Sequence, residues 1–73
     1  MKYPAVTKYA IIEVLKKEGI KAWLDFGFDG FLTVFFPRND VDRVIEVLRK
    51  YFPNLECFLI FLRKNAAYIW YRI

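Results

Sequence analysis

The chain contains no histidine, no serine and no glutamine, and it has a single cysteine, a single methionine, three glycines and three prolines. Without histidine, the commonest general base and the commonest metal ligand are both missing; without serine, so is the commonest hydroxyl nucleophile. One cysteine cannot form an intrachain disulfide framework, the usual staple of a small secreted domain. No uninterrupted apolar stretch is longer than that from Cys57 to Leu62, well short of the roughly 20 residues that cross a bilayer. No membrane span is therefore expected. The start, Met1-Lys2-Tyr3-Pro4, is not followed by an apolar run and a small-residue cleavage site, which predicts no signal peptide and a cytoplasmic protein. Missing Gln and scarce Cys beside plentiful Lys, Arg and Glu lean toward a thermophilic composition.

What is present is mostly apolar and often aromatic. Of 73 residues, 58% are hydrophobic and 21% are Phe, Trp or Tyr, far from the composition of disordered chains. One domain over residues 1–73 is expected, with a core so small that association with a partner would help it. The net charge of +4, from 12 basic and 8 acidic residues, permits nucleic-acid contact without demanding it.

The chain is written twice. Ile12-Glu13-Val14-Leu15-Lys16-Lys17 recurs as Ile45-Glu46-Val47-Leu48-Arg49-Lys50, and Ile20-Lys21-Ala22-Trp23-Leu24-Asp25-Phe26 matches Leu55-Glu56-Cys57-Phe58-Leu59-Ile60-Phe61. Each copy, residues 4–37 and 39–73, reads helix, strand, strand. In the second helix Val41, Val44, Ile45 and Leu48 follow the helical i, i+3, i+4, i+7 rule. Asn39 or Asp40 is expected to cap its start, Arg49 and Lys50 suit its negative end, and Pro53 stops it. The first helix is expected to open around Pro4, to bury Ile11, Ile12, Val14 and Leu15, and to stop at a left-handed Gly19.

Alternation in the first strand sets Ile20, Ala22, Leu24 and Phe26 against Lys21, Trp23 and Asp25, the mark of a sheet covered on one side. A three-residue loop, Phe28-Asp29-Gly30, puts glycine at the left-handed position and pairs Trp23 with Phe35 and Leu24 with Val34. The same loop length in the second copy, Arg63-Lys64-Asn65 with a left-handed Asn65, pairs Phe61 with Ala67, Leu59 with Ile69, Cys57 with Tyr71 and Phe58 with Trp70. Neither helix–hairpin unit has enough core alone, so both should share one sheet. The expected fold is α+β: an αββαββ two-layer sandwich with an internal αββ repeat. Its four-stranded antiparallel sheet runs in the order 1-2-4-3, with both helices on one face. Cyclic shifting of βαββαβ gives this order, so the architecture resembles a circularly permuted ferredoxin-like fold, which carries no function by itself.

The other face would then present Lys21, Trp23, Asp25, Phe31, Thr33, Phe35, Glu56, Phe58, Ile60, Tyr68, Trp70 and Arg72. A sheet of this size projects roughly 400 Å², about the largest apolar patch a monomer tolerates. Homodimerisation through Trp23, Phe31, Phe35, Phe58, Ile60, Tyr68 and Trp70 would bury it, with Lys21 and Arg72 meeting Asp25 and Glu56 at the margins. Sheet filling by aromatics, which favour strands anyway, is the plainer account.

A third use follows from Asp29-Gly30-Phe31-Leu32-Thr33-Val34-Phe35-Phe36. This octet resembles RNP1 of the RRM family at Gly30, Phe31, Val34 and Phe36, and Tyr68 on the neighbouring strand falls where the RNP2 aromatic would. It departs from that pattern at Asp29, where a basic residue is usual, at Leu32 and at Thr33. The resemblance implies single-stranded RNA or DNA stacking on Phe31 and Tyr68, aided by Phe35, Trp70, Lys21 and Arg72.

No catalytic constellation converges, and no enzyme, cofactor or metal is expected. Asp25 and Asp29 flank a hairpin, and Asp40 and Asp42 start a helix. Lys16, Lys17, Arg49 and Lys50 answer helix dipoles. Cys57 has no neighbouring base and is expected as a small core residue.

Overall fold

The computed structural model describes residues 7–27, 30–52 and 58–71. Helix α1 (Lys8–Lys17) begins where the Thr7 hydroxyl accepts the Ala10 amide at 3.0 Å, Thr7 itself being extended. This cap places the start later than the expected opening near Pro4, which lies outside the described residues. The helix ends as expected. Gly19 adopts φ +80°, its amide donates to the Lys16 carbonyl, and the Ile20 amide donates to the Leu15 carbonyl. These two bonds form a Schellman motif, and the Leu15 and Ile20 side chains on either side of it both enter the core.

Strands β1 (Trp23–Phe26) and β2 (Leu32–Pro37) pair in the expected register, Trp23 with Phe35, Leu24 with Val34 and Phe26 with Leu32. Gly27 donates to Phe31, Gly30 donates to Gly27, and Gly30 stands at φ +79°. That is a three-residue loop with glycine at its left-handed position. A 3₁₀ turn over Arg38–Asp40 leads into α2 (Val41–Tyr51), and neither Asn39 nor Asp40 caps it with a side chain. The turn makes such a cap redundant, because it keeps the chain helical up to Val41. The buried stripe of α2 is Val44, Val47, Leu48 and Tyr51, with Val41 and Ile45 only half-buried. It is rotated from the expected stripe toward the end of α1, where the Tyr51 hydroxyl donates to Glu18 at 2.8 Å. Helix α2 ends at Phe52, before Pro53, which lies outside the described residues.

Strands β3 (Phe58–Leu62) and β4 (Ala66–Tyr71) complete an antiparallel four-stranded sheet of order β1-β2-β4-β3. Residues of both helices share one hydrophobic cluster with Val34, Phe36, Ala67, Ile69 and Phe58. Both helices thus cover the same sheet face, as expected. No helix among the described residues is long and apolar enough to cross a membrane.

The β3–β4 register differs from the expected one by one residue. Phe58 pairs with Tyr71, Leu59 with Trp70, Ile60 with Ile69, Phe61 with Tyr68 and Leu62 with Ala67. Arg63 donates to the Ala66 carbonyl at 2.7 Å, so Lys64 and Asn65 alone make the loop, and Asn65 is not left-handed. A one-residue slip turns every side chain of a strand to the other face. Phe58 and Ile60, expected on the helix-free face, therefore lie on the helix side. Phe58 belongs to the core, 5.5 Å from the Phe52 ring, and Ile60 packs against that core. The alternation gives no warning, because β3 is apolar at every position.

Candidate functional site: a row of rings across the helix-free face

The slipped register places one ring from each strand in line. Trp23 of β1 pairs with Phe35 of β2, Phe35 with Tyr68 of β4, and Tyr68 with Phe61 of β3. Ring centroids are 6.2, 5.0 and 5.2 Å apart along this row, stacked at 19°, tilted at 38° and stacked at 19°. Trp70 meets the edge of Phe61 at 6.1 Å and 77°. These are the spacings at which aromatic pairs add about 0.5–1.5 kcal/mol each beyond area burial.

The row is sealed in the middle and open at one end. Phe35 and Tyr68 are 4% and 3% exposed, whereas Phe61 and Trp70 are 40% and 39% exposed. Beside the row, Thr33 is buried and its hydroxyl donates to the Ile69 carbonyl, so this polar group costs nothing unpaired. Phe31, just before β2 on the same side, is 70% exposed. Trp23 is half-buried, and Asp25 and Lys21 are exposed.

Of the residues expected to act together, the structure groups Trp23, Phe35, Tyr68 and Trp70. It leaves Phe31 near the hairpin loop and sends Phe58 and Ile60 to the helix side. Glu56, Cys57, Asp29 and Arg72 lie outside the described residues. Phe61 and Leu59 take the places that sequence reasoning assigned to Phe58 and Ile60. A ring opposite Tyr68 was the available signal, since Phe61 alone among the β3 side chains completes an aromatic row.

Charged and polar groups gather elsewhere, where the two copies meet. The Glu18 carboxylate accepts from Tyr51 and lies 3.5 Å from Lys50 Nζ, while Arg43 donates to the Glu18 carbonyl at 2.7 Å. The Tyr51 hydrogen bond, helped by Lys50 and opposed by desolvation, holds the Glu18 carboxyl below its ordinary range. The same bond, then burial, pushes the Tyr51 hydroxyl up. Lys17 and Lys50 also lie 5.7 and 5.4 Å from the Tyr51 ring centroid. This cluster joins α1 to α2. Among the described residues no group of three or more His, Cys, Asp or Glu could hold a metal ion. Comparison with known proteins finds no matching family model, no matching curated protein and no matching solved structure.

Proposed function

We propose that this protein is a non-catalytic, self-associating interaction module that uses the helix-free side of its sheet. The order β1-β2-β4-β3 in an αββαββ chain supports reading its frame as a circularly permuted ferredoxin-like sandwich. The observation that carries the functional reading is the uneven exposure of one aromatic surface: Phe31, Phe61 and Trp70 stand out from it while Phe35 and Tyr68 are sealed. Burying a large apolar side chain contributes about 1.5–3 kcal/mol when it starts fully exposed, so the unsealed rings are where a partner gains most. A second copy supplies the same rings in the complementary orientation.

Light scattering tests this directly, with a dimer expected at high micromolar concentration; a monomer there would refute self-association. Trp70→Asp is expected to weaken the dimer while leaving the fold intact, because Trp70 lies outside the core cluster.

One observation favours single-stranded nucleic acid as a second reading: the well-exposed Phe31 ring lies in the octet that resembles RNP1. Tyr68 does not support it, since Phe35 and Phe61 flank its ring and leave no face for a base. Oligonucleotide titration at two salt concentrations decides: binding that falls with salt and is lost in Phe31→Ala supports this reading, and no binding at low salt removes it.

A further inference from the structure

The sheet has two edges, and they are finished differently. Antiparallel pairing alternates, so the Gly27–Phe31 hydrogen bond points the backbone groups of Leu24 and Phe26 away from β2. At that edge the Asp25 carboxylate accepts the outward Phe26 amide at 2.8 Å. An exposed charge that occupies an edge amide blocks the approach of another strand. By the same alternation, the Arg63–Ala66 bond points the backbone groups of Ile60 and Leu62 away from β4. Neither residue has a hydrogen-bond partner on that side among the described residues, and β3 carries no charge and no proline. Leu62 is 51% exposed beside Phe61.

We propose that the β3 edge is a strand-pairing site for β3 of a second copy, antiparallel about a two-fold axis at Phe61. This rests on the self-association proposed above and names where it occurs: the two sheets join side by side at their β3 edges, next to the exposed Phe61 ring. Three features select this register. Ile60 and Leu62 are two residues apart, so each can exchange both backbone hydrogen bonds with the other's counterpart in the second copy. Phe61 then meets its own symmetry mate at a non-hydrogen-bonded position, where Cα atoms approach to about 4.5 Å. The ring row Trp23–Phe35–Tyr68–Phe61 thereby continues without a break into the second copy's row, covering the end that the monomer leaves open. On the helix side, each exposed Leu62 comes to lie against the partner copy's half-buried Ile60.

Amide hydrogen exchange on the full chain, followed across a dilution series alongside light scattering, tests the site. In the dimer the Ile60 and Leu62 amides should exchange at least roughly tenfold more slowly than in the diluted monomer. Protection independent of concentration would mean that the chain covers its own edge, and would overturn the proposal. A dimer in which both amides stay unprotected would overturn it while leaving self-association standing; a monomer at all concentrations would remove both. Leu62→Pro and Leu62→Lys supply the second arm. Proline is tolerated on an edge strand where its missing N–H faces outward, and lysine at that exposed position disturbs no core contact. Each variant should stay folded and shift the dimer midpoint upward by roughly tenfold or more. A folded Leu62→Lys that dimerises like the parent chain would refute the edge.

Discussion

In the first hairpin, Gly30 at φ +79° lets three residues turn between Gly27 and Phe31; in the second, Lys64 and Asn65 alone turn between Arg63 and Ala66. The units that carry these loops are otherwise alike in order: helix, strand, strand. One residue of loop length is enough to exchange the faces of a strand. It carries Phe58 into the core and Phe61 out to Tyr68, which creates a ring row that the first hairpin could not complete alone. The helices differ in a related way. Thr7 caps α1 with its side chain, while α2 is entered through a 3₁₀ turn without one. A repeated sequence thus sets the order of elements, and the joints between them set what each strand presents.

The comparison breaks most sharply if the second loop is shortened. Deleting Asn65 would leave one residue between Arg63 and Ala66, too few to turn, so Arg63 and Lys64 would turn instead and β3 would slip by one residue, withdrawing Phe58 from the core. By analogy with removing a buried Phe, urea denaturation should register a loss of about 3 kcal/mol. That is a large share of the stability of so small a domain. A change within about 0.5 kcal/mol would mean that the chain absorbs the deletion without slipping and that the loop does not control the register.

Point changes in the two loops should act unequally. Gly30→Ala meets no atom within 4 Å, so its cost is the left-handed backbone alone, about 1–2 kcal/mol. Asn65 is not left-handed, so Asn65→Gly should gain nothing and cost up to about 1 kcal/mol through chain entropy. Stabilisation by Asn65→Gly in a thermal melt would contradict the two-residue turn. The helix starts offer a parallel pair: Thr7→Ala should cost about 1 kcal/mol, whereas Asp40→Ala removes no capping bond and should be nearly silent.

The smallest expected effect concerns the Glu18–Tyr51 contact that joins the copies. Glu18 titrates lower in the folded chain than its ordinary 4.5, so its contribution is full above that pH and fades as pH falls through the lower folded value. Tyr51 titrates above its ordinary 10.0, so its contribution is full below pH 10 and fades as pH rises through the higher folded value. Urea midpoints measured against pH should show both limbs, and Glu18→Gln should flatten the acid one. An acid limb unchanged in Glu18→Gln would assign it to other carboxylates.

The αββ repeat, the helix stop at Gly19, the three-residue loop at Gly30 and the order of strands were all readable in the chain. Each rests on a local rule: a helical stripe, a glycine with positive φ, alternation in a strand with one polar face. The Trp23–Phe35 pair followed from them, because Lys21 and Asp25 mark the outer side of β1. The start of α1 was not legible from Pro4, which suits a first turn; the cap is Thr7, three residues later.

What the sequence determined by itself is the list of elements and the faces of those that carry polar markers. Only the tertiary structure decided which way β3 turns. Phe-Leu-Ile-Phe-Leu is apolar at every step, so both registers bury hydrophobic side chains and local pattern energies nearly cancel. The choice passes to contacts between distant parts of the chain: Phe58 against Phe52 beneath the sheet, and Phe61 against Tyr68 and Trp70 above it.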